Sequence, residues 1–66
     1  MIVKTSAGAV DLSKAVFISN ISELMSGQYH YKILLDLETT TYEVVVRGDS
    51  SLVNERDSVI STWKRS

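Results

Sequence analysis

The stretch "YKILLDLETTTYEVVVRG" runs from Tyr31 to Gly48 and reads as two strands joined by a turn. Successive side chains of a strand point to opposite faces, so a hairpin with one wet face alternates apolar and polar residues. Here "ILL" and "VVV" are apolar on both faces. Extended back to Tyr29, the pattern sets Tyr29, Tyr31, Ile33, Leu35 and Leu37 on one face, joined by Tyr42, Val44 and Val46. The opposite face is mixed. Leu34 and Val45 lie near its centre, His30, Lys32 and Arg47 toward one end, and Asp36 and Glu43 toward the other. Something must cover that second face, or its apolar centre stays wet.

Working outward from the hairpin, "GDSSLVNERDSVISTWKRS" changes period. Leu52, Val53, Arg56, Val59, Ile60 and Trp63 fall at helical spacing, with Arg56 lying along the stripe by its methylenes. Asp49, Ser50 or Ser51 supplies the acceptor that the first N–H groups need, and Lys64 and Arg65 suit the negative end of the helix dipole. A C-terminal helix is predicted, packed on one face of the hairpin. Trp63 clamps it to the sheet.

Toward the N-terminus, Ile2–Thr5 reads as a short strand, "SAGA" (Ser6–Ala9) as a turn and Val10–Leu12 as the returning strand. Ala15–Ile21 is β-branched and aromatic, as strands are. Ser22–Gln28 reads as one helical turn capped by Ser22 and ended by Gly27, or as a loop. The expected fold is a single α+β domain over residues 1–66: a meander-like antiparallel sheet of four to five strands with one C-terminal helix on it.

Composition narrows the function classes. The chain has 66 residues, seven Lys+Arg against eight Asp+Glu, and a formal net charge of −1. So even a balance favours neither a polybasic nucleic-acid binder nor an acidic mimic of DNA. There is no Cys to form a disulfide or a thiolate metal site. A core this small seldom leaves more than about 3–5 kcal/mol of stability without such a staple, which points toward self-association as a homo-oligomer. "MIVKTSAGAV" lacks the charged leader and apolar run of a signal peptide, and no segment approaches the ~20 apolar residues of a membrane span. A cytoplasmic protein without membrane contact is expected, and Met1 running straight into a strand suggests an intact small gene product.

No constellation of catalytic residues is recognisable, so no enzyme, cofactor or metal site is predicted. His30 is the single histidine, with no second ligand at metal-binding spacing and no nucleophile-elbow sequence near any Ser. Asp36, Glu38 and Glu43 gather at a hairpin tip, where charge keeps a strand edge soluble rather than doing acid–base work. Asn20-Ile21-Ser22 matches a glycosylation sequon without a secretory signal. His30, Lys32 and Arg47 form a candidate anion patch, but alternation sends Tyr29 and Tyr31 to the other face, separating stacking from phosphate contact.

The interface candidates are therefore Leu34, Val45, Phe17 and Ile18, apolar residues on a face that a monomer leaves wet. The leading expectation is a small non-enzymatic module that binds protein, itself included. Its size and lack of motifs suggest a phage or mobile-element product that occupies the surface of a host protein. The alternative is an oligomer that binds a small anion or nucleotide between subunits near His30, Lys32 and Arg47. Nucleic-acid binding ranks behind both.

Overall fold

A computed structural model describes residues 1–65. Six strands and one helix follow in the order β1 (Ile2–Thr5), β2 (Gly8–Asp11), a 3-10 turn (Leu12–Lys14), β3 (Ala15–Ile18), β4 (Ser22–Met25), β5 (Gln28–Asp36), β6 (Thr41–Gly48) and α1 (Leu52–Arg65). The α+β architecture matches the expectation, with one strand more than the upper count.

β5 is the centre of the larger sheet. β6 pairs along one of its edges from Tyr29↔Gly48 to Asp36↔Thr41. The other edge is shared: β3 pairs with the C-terminal half of β5 (Ile18↔Ile33, Phe17↔Leu34) and β4 with its N-terminal half (Ser22↔His30, Glu23↔Tyr29). Between them, Ser19 keeps the ladder going by donating its N–H to the Lys32 carbonyl (2.9 Å) and accepting the Lys32 N–H on its hydroxyl (2.8 Å). β1 and β2 form a separate two-stranded sheet.

Residues 22–28 are neither a helical turn nor a loop but β4 and a tight turn into β5. Gly27 at φ 79 takes the left-handed conformation this return needs, and the Glu23 carboxylate accepts its N–H (3.3 Å). The helix-favouring Glu, Leu and Met are overridden by pairing to β5. The first turn is also tighter than expected. Gly8 and Ala9 belong to β2, and the Thr5 hydroxyl both donates to the Gly8 carbonyl (2.8 Å) and accepts the Ala7 N–H (3.1 Å).

The core holds Val10, Leu12, Ile18, Tyr31, Ile33, Val46, Leu52 and Val59. Tyr31, Ile33 and Val46 come from the first face of the β5–β6 hairpin, Leu52 and Val59 from α1, and Val10 and Leu12 from the N-terminal segment. The N-terminal hairpin and the helix thus cover the same face, side by side. A shallow groove between them is lined by Val3 and Lys4 on one wall and Glu55, Ser58, Val59 and Thr62 on the other.

Polar ties hold α1 at both ends. The Glu55 carboxylate accepts from the Ser6 hydroxyl (3.0 Å) and the Tyr31 hydroxyl (3.4 Å), joining hairpin, helix and sheet. The Arg56 guanidinium donates to the Ser19 carbonyl (2.7 Å) and the Asn20 side chain (3.4 Å). The Trp63 indole donates to the Ala15 carbonyl (3.3 Å), the predicted clamp. Before the helix, Asp49 accepts from the Ser51 N–H (2.9 Å) and hydroxyl (2.6 Å). Val53 is a correction: it lies off the packed stripe and is 41% exposed.

Candidate functional site

With hairpin and helix both on the first face, the second face of the large sheet carries no covering element among the described residues. Opposed residues in an antiparallel pair share a face, which maps this surface in rows. Ser22, His30 and Arg47 form one row, Lys32 and Val45 the next, Phe17, Leu34 and Glu43 the third, and Asp36 and Thr41 the last.

Phe17 reaches this face through a register irregularity between Ala15 and Phe17, which sets Val16 and Phe17 together against Leu34. Both are 55% exposed, while Leu34 and Val45 are half-buried. The result is a diagonal apolar band from Val16 and Phe17 through Leu34 to Val45. Three of the four predicted interface residues therefore share one surface. Ile18 does not. It is 8% exposed opposite Ile33 in the core, because the extra residue at the bulge turns the following side chain inward. Val16 was missed for the same reason, since strict alternation gives no sign of a bulge.

The charges on this face are arranged by end. Lys32 Nζ lies 3.7 Å from Glu43 Oε1, a diagonal cross-strand pair with both partners about half exposed. Such a pair contributes roughly 0–1 kcal/mol, but it neutralises the middle of the face. What remains is Arg47 beside His30 at one end, with Asp49 close to Arg47, and Asp36 at the other. His30 Nδ1 is buried without a hydrogen-bond partner in the chain. Asp36 accepts the Glu38 N–H (3.2 Å), part of a tip in which Glu38 sits at φ 72.

The predicted anion patch is thus divided: His30 and Arg47 face each other across β5 and β6, while Lys32 leans to Glu43. A groove of about 400 Å³ lies beside Arg47, lined also by Leu24, Tyr29, Gly48 and Asp49. Asp49 is held below the usual carboxylate range by its hydrogen bonds from the Ser51 hydroxyl and N–H. The groove therefore presents a fixed anion next to the Arg47 cation, which does not select for an anionic ligand.

Tyr31 is fully buried, and burial, reinforced by the charge of Glu55 and its hydrogen bond, raises its hydroxyl above the ordinary tyrosine range. Asp11 is lowered to about 2, chiefly by hydrogen bonds from the Ser13 hydroxyl and N–H. Both serve the fold rather than an open site. Among the described residues no three His, Asp or Glu side chains are placed to hold a metal ion, and no helix is long and apolar enough to cross a membrane.

No known protein family matches the chain, and no curated protein or solved structure is significantly similar to it.

Proposed function

We propose that this chain is a small non-enzymatic module that binds protein through the open face of its large sheet. The observation that carries this is the diagonal of Val16, Phe17, Leu34 and Val45, placed on the one broad sheet surface that neither hairpin nor helix covers. A marginal domain of this size gains about 1.5–3 kcal/mol for each large apolar side chain it fully buries. Leaving four of them wet or half-wet forgoes part of that gain, and a docked protein surface recovers it. Charged residues around the band give the polar rim that such interfaces carry.

The test is differential capture from lysate by immobilised protein. Species retained by the wild type should be lost from the Phe17→Ser/Leu34→Ser variant and kept by Val53→Ser, whose change lies on the exposed side of α1. Equal retention by all three proteins would remove the open face as the binding surface.

A further inference from the structure

We propose that two copies of this chain pair edge to edge through β6, antiparallel and centred on Val45, so that their large sheets join into one. This is a property of the sheet's edge and does not depend on what the open face binds.

The two sides of the large sheet end differently. On one side β3 and β4 are four residues each and both carry a register irregularity. Trp63 and Arg56 also take the Ala15 and Ser19 carbonyls there. Short, bulged and covered edges keep other strands from adding on. β6 is eight residues long without proline, its register against β5 is unbroken from Thr41 to Gly48, and among the described residues it draws its backbone hydrogen bonds from β5 alone. Val46 is fully buried, so its N–H and C=O must be paired, and they face Tyr31 on β5. Alternation then turns the N–H and C=O of Glu43, Val45 and Arg47 outward, and their side chains share the open face of the sheet.

A second β6 fits those three residues. Outward groups must meet outward groups, so the two-fold axis passes through one residue and its copy. Centred on Val45, it opposes Val45 to Val45 and, twice over, Glu43 to Arg47. Centred on Glu43 it would oppose two carboxylates, and on Arg47 two guanidiniums, placements that destabilise a strand pair. Arg47 is available: the carboxylate of neighbouring Asp49 accepts from Ser51 and forms no ion pair with Arg47 among the described residues. Glu43 meets Lys32 only at 3.7 Å and through one carboxylate oxygen. The axis stands perpendicular to the sheet, so both open faces end on the same side. The diagonal of Val16, Phe17, Leu34 and Val45 then continues through Val45 into its copy. One strand pair is small beside the ~800 Å² per partner of a standard interface, so the dimer is expected to come apart on dilution.

The absence of cysteine makes the register directly measurable. Val45→Cys chains should join to one another by disulfide under mild oxidation, since opposed residues lie within the ~4.4–6.8 Å that a disulfide spans. Glu43→Cys chains should join only when Arg47→Cys chains are added, because two copies of position 43 lie about 13 Å apart along the strands. This mixed pair repeats the measurement at exposed positions should Val45→Cys fail to fold. Glu43→Arg or Arg47→Glu alone should weaken self-association about tenfold. Mixing those two variants should restore it as a heterodimer, in which opposite charges again meet in both rows.

A Glu43→Cys chain that joins itself as fast as Val45→Cys does would reflect collision rather than register and overturn the proposal. A wild type that stays at 7.4 kDa by light scattering at millimolar concentration would overturn it altogether. The Phe17→Ser/Leu34→Ser variant, changed on the open face but not at the edge, should dimerise as the wild type does. Loss of its dimer would overturn edge pairing and move self-association to the open face.

Discussion

Ile33 and Leu34 are neighbours in sequence and opposites in circumstance. Ile33 is fully buried beneath the helix and hairpin, whereas Leu34, one residue on, is half-buried on a face with no cover. The same holds across the ladder for Val46 and Val45. Within each pair the two residues are alike in hydropathy; what differs is how much of the chain is left to pack against each side. A 66-residue chain has one helix and one spare hairpin, and both are spent on the first face. Apolarity on the second face is therefore unrelated to the monomer's own core, which is why it bears on function.

The largest effect should come from truncating the two neighbours separately. Ile33→Ala is expected to cost about 2–5 kcal/mol by loss of buried methyls and creation of a cavity, enough to unfold a marginal domain. Leu34→Ala should cost under about 1.5 kcal/mol in dilute protein. Urea melts of the pair check the contrast, and equal losses would mean that the second face is covered after all. If a copy covers it, the penalty of Leu34→Ala should grow with protein concentration, while that of Ile33→Ala should not.

Next comes alkaline stability. The Tyr31 hydroxyl is raised above its unfolded value of roughly 10 by burial and then by Glu55. The folded chain keeps this proton at pH values where the unfolded chain releases it. Its contribution is thus fully present below about pH 10 and is lost as pH rises beyond that. In Tyr31→Phe this part of the alkaline decline should vanish from the pH dependence of thermal melting. At neutral pH the variant should lose only about 1 kcal/mol, the usual net worth of one hydrogen bond.

A smaller gain is expected at the hairpin tip. Glu38 occupies the left-handed region, which costs a non-glycine residue about 1–2 kcal/mol, while glycine gives back about 0.5–1 kcal/mol in backbone entropy. Glu38→Gly should therefore stabilise by a few tenths to about 1 kcal/mol, read as a rise in the urea midpoint. The smallest effect belongs to the open face: Lys32→Ala should change stability by no more than about 1 kcal/mol, and less at high salt.

What could be read from the sequence was what local periodicity encodes. The two-residue period through Tyr29–Leu37 and Thr41–Arg47 separated the two faces of the central hairpin, and the helical period from Leu52 marked α1. Trp63 as a clamp followed from its place at the end of that stripe. What could not be read depended on long-range pairing. β4 exists because the N-terminal half of β5 has an edge to offer, not because Glu23, Leu24 and Met25 favour strand. The bulge that turns Phe17 outward and Ile18 inward adds one residue to a pattern that otherwise gives no sign of it. The side on which the N-terminal hairpin docks is set by Val10 and Leu12 finding Tyr31, Ile33 and the helix, a choice that periodicity leaves open. Hence Phe17, Leu34 and Val45 fall on one surface, Ile18 falls in the core, and Val16 joins the surface without having been read from the sequence.

The separateness of β1 and β2 has a kinetic consequence. No backbone ladder connects this hairpin to the larger sheet; it is held by Val10, Leu12 and half-buried Val3 in the core and by the Ser6–Glu55 hydrogen bond. β5, by contrast, is hydrogen-bonded along both edges. The hairpin can therefore swing away as a cooperative unit without breaking the sheet, a sub-global opening of the kind that amide hydrogen exchange detects. Its amides should exchange well before those of β5, and each opening uncovers Tyr31 and Ile33, so that for a moment both sides of the sheet are wet.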